Sequence, residues 1–140
     1  MFSKIIIVFL LSFSLLGFYP QRIDKEILQI SQTTEQRIQN IFGNKAKIAL
    51  AVLKHESGLK LNAINYNCRY NGKSKTCKKK DIKKAWSVDC GIAQINVKGK
   101  VCPSSLLTLD GNMNAVEKIY KEQGLNAWVS FKTGAYKKFL

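Results

Sequence analysis

The chain opens on a run of twelve uncharged residues, Ile5 to Leu16, rich in Ile, Leu and Phe and bounded by Lys4 and Tyr19-Pro20. Such a run is short for a membrane span and suits the apolar stretch of a secretory signal. No small-x-small cleavage triplet stands near Leu15 to Phe18, so residues 1–20 read as a signal peptide or an uncleaved N-terminal anchor. From Ile23 the rhythm changes. Ile23, Ile27, Ile30, Ile38 and Ile41 recur at helical intervals among Gln, Glu, Arg and Lys, which predicts an N-terminal helix over 21–43, broken near Thr33-Thr34. Gly43-Asn44 interrupts it; Asn44 is placed to cap a second helix from Lys45 to Ser57, and Gly58 to end it. Residues 62–88, rich in Asn, Lys, Gly and Tyr, have little periodicity and predict an irregular or short β-hairpin insertion. Cys90 to Val97 is apolar with two polar interruptions and fits either a short strand or a buried turn. Pro103-Ser104-Ser105 marks a fresh start, followed by an apolar patch at Leu106, Leu107 and Leu109. Asn112 to Gln123 then carries Met113, Val116, Ile119 and Tyr120 on one helical face before Gly124. Trp128, Phe131, Tyr136 and Phe139 predict a last short helix that gives its aromatics to the core. The pattern is that of a mainly α (α+β) domain over 44–140 with a small β or irregular insertion.

Four cysteines, Cys68, Cys77, Cys90 and Cys102, follow the export segment. An even count in a small exported domain implies two disulfides, and Cys68–Cys77 with Cys90–Cys102 is favoured because each closes a short polar segment. Zinc is disfavoured: no CxxC pair is present and His55 is the only histidine. The net charge is +14, and losing residues 1–20 would remove one lysine and no acid, leaving +13. A polyanionic partner fits this balance, whether nucleic acid, anionic lipid or bacterial wall. Seven lysines fall between 73 and 84, as a binding patch or a solvated loop.

Against this background Glu56 stands out. Ala49, Val52, Leu53 and Glu56 follow the spacing of a helix's buried face, where a carboxylate is rarely left without a role. A carboxyl partly withdrawn from water near the negative end of a helix dipole favours its neutral form, which a general acid needs. The structural alternative is that Glu56 caps its helix or pairs with a lysine.

Other chemistries fail on the residues. His55-Glu56 begins like a zinc-protease motif, but position 59 is Leu and no second histidine exists. Ser57-Gly58-Leu59-Lys60 and Lys132-Thr133-Gly134 match short motifs of penicillin-recognising enzymes, yet S-D-N is missing and the chain is too small for that fold. A cysteine peptidase would spend cysteines better used in disulfides. Acid catalysis on a polysaccharide remains, with Glu56 as acid and Asp89 as the best second carboxylate, although Asp89 also suits an ordinary turn. In an extended strand Gln94 and Asn96 would face one side and offer amides to N-acetyl and hydroxyl groups. No cofactor or metal is implied.

Two segments carry a family resemblance. Ala51-Val52-Leu53-Lys54-His55-Glu56-Ser57-Gly58 resembles the catalytic helix of the soluble lytic transglycosylases, an apolar run followed by Glu-Ser-Gly. Asp89-Cys90-Gly91-Ile92-Ala93-Gln94-Ile95-Asn96 is similar to that family's Gly-Leu-Met-Gln segment. It is especially similar to the Asp-x-Gly-x-x-Gln-Ile-Asn form of small secretion-system transglycosylases and chicken-type lysozymes. With the Asn-containing helix over 112–124, the likeness spans about residues 44–136. It implies a lysozyme-like fold and cleavage of the β-1,4 bond between N-acetylmuramic acid and N-acetylglucosamine in peptidoglycan. It further implies Glu56 as catalytic acid/base, Ser57 as support for Glu56 or the substrate, and Gln94 as a cleft residue. Cys90 and Ala93 depart from bulkier family residues, and the family's Ala-Tyr-Asn-x-Gly motif is not evident over 131–134. The transglycosylase outcome, with an anhydro product, is favoured over lysozyme hydrolysis using Glu56 and Asp89. The expected partners are peptidoglycan strands met by a monomer exported to the periplasm or beyond, with a secretion-system or envelope assembly left open. A non-catalytic wall-binding protein is the rival from another class, and export disfavours nucleic acid.

Overall fold

The structure is a computed structural model that describes residues 33–140, so the expected export segment and the part of the expected N-terminal helix before Thr33 lie outside the described residues. Thr34–Leu140 form one compact unit. Its helices are α1 (Thr34–Phe42), α2 (Ala46–Ser57), α3 (Leu109–Gln123) and the short α4 (Val129–Thr133). Single 3₁₀ segments stand between and after them, among them Gly43–Lys45, Lys79–Lys84 and Ala135–Phe139. The strands β1 (Ile64–Tyr70), β2 (Lys73–Thr76), β3 (Ser87–Cys90) and β4 (Ile95–Lys98) form one antiparallel sheet in the order β2-β1-β3-β4. The fold is α+β.

Helix α2 is the centre. Ala49, Ala51, Val52 and Leu53 are all buried, and the helix packs against α1, α4 and the C-terminal 3₁₀ segment. Small residues at 46, 49 and 51 let neighbouring elements approach closely. Val52 and Leu53 supply buried aliphatic surface, about 1.5–3 kcal/mol for each fully buried side chain. Ile38 and Phe42 of α1, Met113 and Val116 of α3, and Leu125, Trp128 and Tyr136 complete the core. Thr34–Phe42 therefore belongs to the same unit as 44–140.

The helix ends differ in how far the sequence announced them. Gly58 closes α2 in the left-handed conformation, φ +64°, its N–H donating to Lys54 O at 2.9 Å. Asn44 is not the cap of α2: it lies inside the 3₁₀ turn, and Lys45 precedes the helix with no side-chain cap. The turn runs straight into the helix, so no extended residue stands where a cap would sit. Helix α3 begins at Leu109 rather than Asn112, because Thr108 Oγ1 accepts from Gly111 N at 3.2 Å. The aromatic tail is two short pieces rather than one helix, divided at Gly134, φ +75°.

In the insertion, β1 and β2 form a hairpin around Asn71-Gly72, both with positive φ as a two-residue mirror-image turn requires. Cys68–Cys77 staples this hairpin, and Cys90–Cys102 ties the end of β3 to the loop before α3, the pairing the short polar segments favour. Two disulfides fit an oxidising, exported environment. Among the described residues no helix is long and apolar enough to cross a membrane.

Candidate active site

The polar wall of the cleft comes from strand alternation. Asn65, Asn67 and Arg69 share one face of β1, while Tyr66, Cys68 and Tyr70 share the other. The register sets Asp89 opposite Asn65, Ser87 opposite Asn67, and Asn96 opposite Asp89. Directly opposed residues lie on the same face, so three strands present a contiguous polar surface. Val88 and Cys90, on the other face of β3, are fully buried.

Asp89 sits in the middle of that wall. Asn96 Nδ2 donates to its Oδ1 at 2.6 Å and Asn67 Nδ2 to its Oδ2 at 2.8 Å, so each carboxylate oxygen has an amide donor. Glu56 faces it from the last turn of α2. Its Oε1 accepts a hydrogen bond from the Ser130 hydroxyl, which α4 carries. Glu56 and Asp89 line one cleft of about 330 Å³ together with Asn65, Asn67, Gln94 and Asn96. Neither takes part in an ion pair: the pairs among the described residues are Arg37–Asp110, Lys84–Asp81 and Lys121–Glu117. In a chain of net charge +14 this is informative, since a purely structural carboxylate would have lysines to choose from. Glu56 pairs with none of them.

The turn between β3 and β4 locks the site together. Gly91 has φ +70°, and a Cβ there would meet Asn112 Nδ2 and Leu106 O, each at 2.2 Å. Fully buried Asn112 donates to Cys90 O and Leu106 O at 3.0 and 2.8 Å and accepts from Ala93 N at 3.1 Å. Ala93 O in turn accepts from Trp128 Nε1 at 3.0 Å. Ile92 and Ala93 are fully buried, so Cys90 to Val97 is neither a strand nor a turn alone but a strand end, a buried turn and a new strand.

Of the three residues expected to meet the substrate, Gln94 and Asn96 line the cleft and Ser57 does not, and the strand placement expected of Gln94 is the part that the geometry corrects. Ser57 is not among the cleft-lining residues; its hydroxyl donates to Ile92 O at 2.7 Å, tying the end of α2 to the turn. Gln94 is in the turn with φ +51°, not in an extended strand beside Asn96. Although it lines the cleft, its amide donates to Gly91 O at 2.9 Å and Ala63 O at 3.3 Å and accepts from Asn65 at 2.7 Å. Its polar atoms hold the turn. Asn96 spends its amide hydrogens on Asp89 and on Ser87 Oγ, the latter at 3.0 Å, so it orients the carboxylate. His55 lies outside the cleft lining, with its ring edge-on to Phe139.

Other site residues were not singled out from sequence. Asn65, Asn67 and Ser87 were hidden in a segment that reads as an irregular or short β-hairpin insertion, yet the alternation Asn-Tyr-Asn-Cys-Arg-Tyr was there to be read. Trp128 is mostly core, 6% exposed, but one edge lines the cleft. Tyr136 is buried and stacked on Phe131, away from the cleft lining, and Ser130 is the hydroxyl of the tail that reaches Glu56. No family model, curated protein or solved structure matches the chain.

Proposed function

We propose that this protein cleaves the β-1,4 bond between N-acetylmuramic acid and N-acetylglucosamine in peptidoglycan, on a lysozyme-like fold with Glu56 as general acid/base. The observation that carries the reading is the pair Glu56 and Asp89, two carboxylates without cation partners, in one amide-lined cleft of a strongly basic chain. Cleavage of a glycosidic bond needs a proton on the leaving oxygen and a negative charge near the oxocarbenium-like carbon. Glu56, which accepts a hydrogen bond from Ser130, supplies the proton. Asp89 supplies the charge, held still by Asn67 and Asn96 so that nothing need reorganise as the carbon becomes positive.

The leading outcome is the transglycosylase one. After protonating the leaving group, Glu56 as carboxylate takes the proton of the muramoyl hydroxymethyl group, whose oxygen closes on its own anomeric carbon to give the anhydro end. Asp89 then serves as a fixed charge and forms no bond. Its place in the same cleft favours a second reading, hydrolysis, in which water attacks that carbon and leaves a reducing end. Mass spectrometry of fragments released from purified wall separates the two by the mass of one water. Glu56→Gln is expected to reduce release by at least about a hundredfold with the fold intact, since general acid catalysis alone contributes about 10²–10⁴-fold. Undiminished release by that variant rejects the glycosidase, and wall binding without any fragments from the unaltered protein supports the non-catalytic rival.

A further inference from the structure

The cleft has a second end that the acid chemistry does not use. Arg69 shares the cleft-side face of β1 with Asn65 and Asn67, with Ser74 opposite it on β2. Its guanidinium lies 4.8 Å from the centre of the Trp86 ring. Trp86 lines the cleft beside Asn67 and Ser74, and it is 37% exposed, although a tryptophan is on average well buried. Main-chain bonds hold this residue in place at both ends: Trp86 N donates to Asn67 O at 3.0 Å, and Gly99 N donates to Trp86 O at 2.9 Å. Lys98 is opposite Ser87 and so adds a second cation to the same face. Lys73 and Lys75 are opposite Tyr70 and Cys68, on the other face. Arg69 takes part in none of the ion pairs among the described residues, which leaves its donors free for a ligand.

We propose that Trp86 and Arg69 form a sugar subsite that selects an anionic ring: the indole stacks against the sugar while the guanidinium and Lys98 hold a carboxylate on it. The proposal rests on reading the cleft as a glycan site and adds a selectivity. Glu56 and Asp89 line the cleft, whereas Arg69 and Lys98 stand just outside its lining on the same face of the sheet, so a saccharide bearing lactyl carboxylates has one favoured placement. A neutral N-acetylglucosamine polymer gains only the stacking. The cleft is thereby tuned for muramoyl glycan over chitin.

The test uses the Glu56→Gln protein, so that ligands bind without being cut, and titration calorimetry with two soluble hexasaccharides. One alternates N-acetylglucosamine with N-acetylmuramic acid; the other is the N-acetylglucosamine hexamer. The muramoyl ligand is expected to bind about tenfold tighter, the scale of one charge-assisted contact. Adding Arg69→Ala brings the two affinities together, Arg69→Lys keeps part of the difference, and Trp86→Ala weakens both ligands by about tenfold. Thermal unfolding midpoints within a few degrees of the parent show that the variants are folded. Equal affinities in the parent, a preference that survives Arg69→Ala, or full binding by Trp86→Ala each overturn the subsite. If the unaltered protein still releases wall fragments in those cases, only the subsite falls. If it releases none and Glu56→Gln binds neither saccharide, the glycosidase reading falls with it.

Discussion

Ser130 places its hydroxyl on the carboxylate that does the proposed chemistry, from a helix of only five residues. Ser130→Ala removes that donor at a position 3% exposed, where a methyl group fits and no cavity is opened. A hydrogen bond to a charged group is worth about 1.5–3 kcal/mol, so about a ten- to hundredfold loss of wall lysis is expected. The loss should fall on kcat while binding of the wall by the variant stays as in the parent. An unchanged kcat would assign Ser130 to packing alone. Asn112 acts on the backbone of the turn instead. Asn112→Ala would leave Cys90 O, Leu106 O and Ala93 N without their partners in the interior, at about 1–3 kcal/mol for each group that water cannot reach. In a unit of this size about 1 kcal/mol shifts the unfolding midpoint by roughly 4–8 °C, so the midpoint should fall by 10 °C or more by circular dichroism. A drop of a degree or two would mean that the turn holds itself.

At the scale of elements, the insertion is braced from the side of the sheet away from the cleft. Tyr70 Oη donates to Asp81 Oδ2 at 2.9 Å and accepts from Lys78 N at 3.1 Å, and Lys84 lies 3.2 Å from Asp81 Oδ1. The Tyr70 hydroxyl first, and Lys84 after it, hold the Asp81 carboxyl below its ordinary value of 3.8. A carboxyl whose pKa is lowered by folding stabilises the native state above its unfolded value, and that contribution disappears as the pH falls through the folded one. Urea unfolding of the parent and of Asp81→Asn should therefore differ at about pH 6, and the gap should narrow as the pH falls below the ordinary aspartate value. A gap that is constant with pH would remove Asp81 from the acid sensitivity of the fold. The same region marks where the sequence was hard to read. Helix α2 was legible, since its apolar positions keep helical spacing and Gly58 ends it. Strand β1 was not, because its polar face lines the cleft and its other face is Tyr and Cys, so the alternation carries no aliphatic residues beyond Ile64. Asn71-Gly72, a strong hairpin signal, was the readable clue. Strand β2, Lys-Ser-Lys-Thr, is exposed throughout and has no pattern to detect. Glu56 and Asp89 could be picked out as residue types in the right segments. That Gln94 and Ser57 serve the turn could not, because it depends on carbonyls that distant residues bring within reach.

For the molecule as a whole, a chain of net charge +14 carries a cleft whose central carboxylates form none of the ion pairs among the described residues. The lysines of β2 lie on an edge strand, where charge also discourages pairing with another chain, so their first service is to the solubility of this protein. The summed field has a second consequence. An intact wall carries many anionic groups, and a basic protein approaches it faster than diffusion of a neutral one would allow, whereas a short saccharide presents few charges to that field. Raising salt from about 0.1 to about 1 M shortens the screening length from about 10 to about 3 Å. That reaches the long-range field but leaves contacts inside the cleft nearly untouched. Lysis of whole wall should then fall by more than about tenfold, while cleavage of a soluble muramoyl saccharide falls by less than about threefold. Replacing Lys79 and Lys80 with Gln, on an exposed 3₁₀ segment remote from the cleft lining, should flatten the salt dependence on wall and leave the soluble reaction as it was. Equal salt dependence for both substrates would locate the effect in the cleft itself, with Arg69 and Lys98 as the groups being screened.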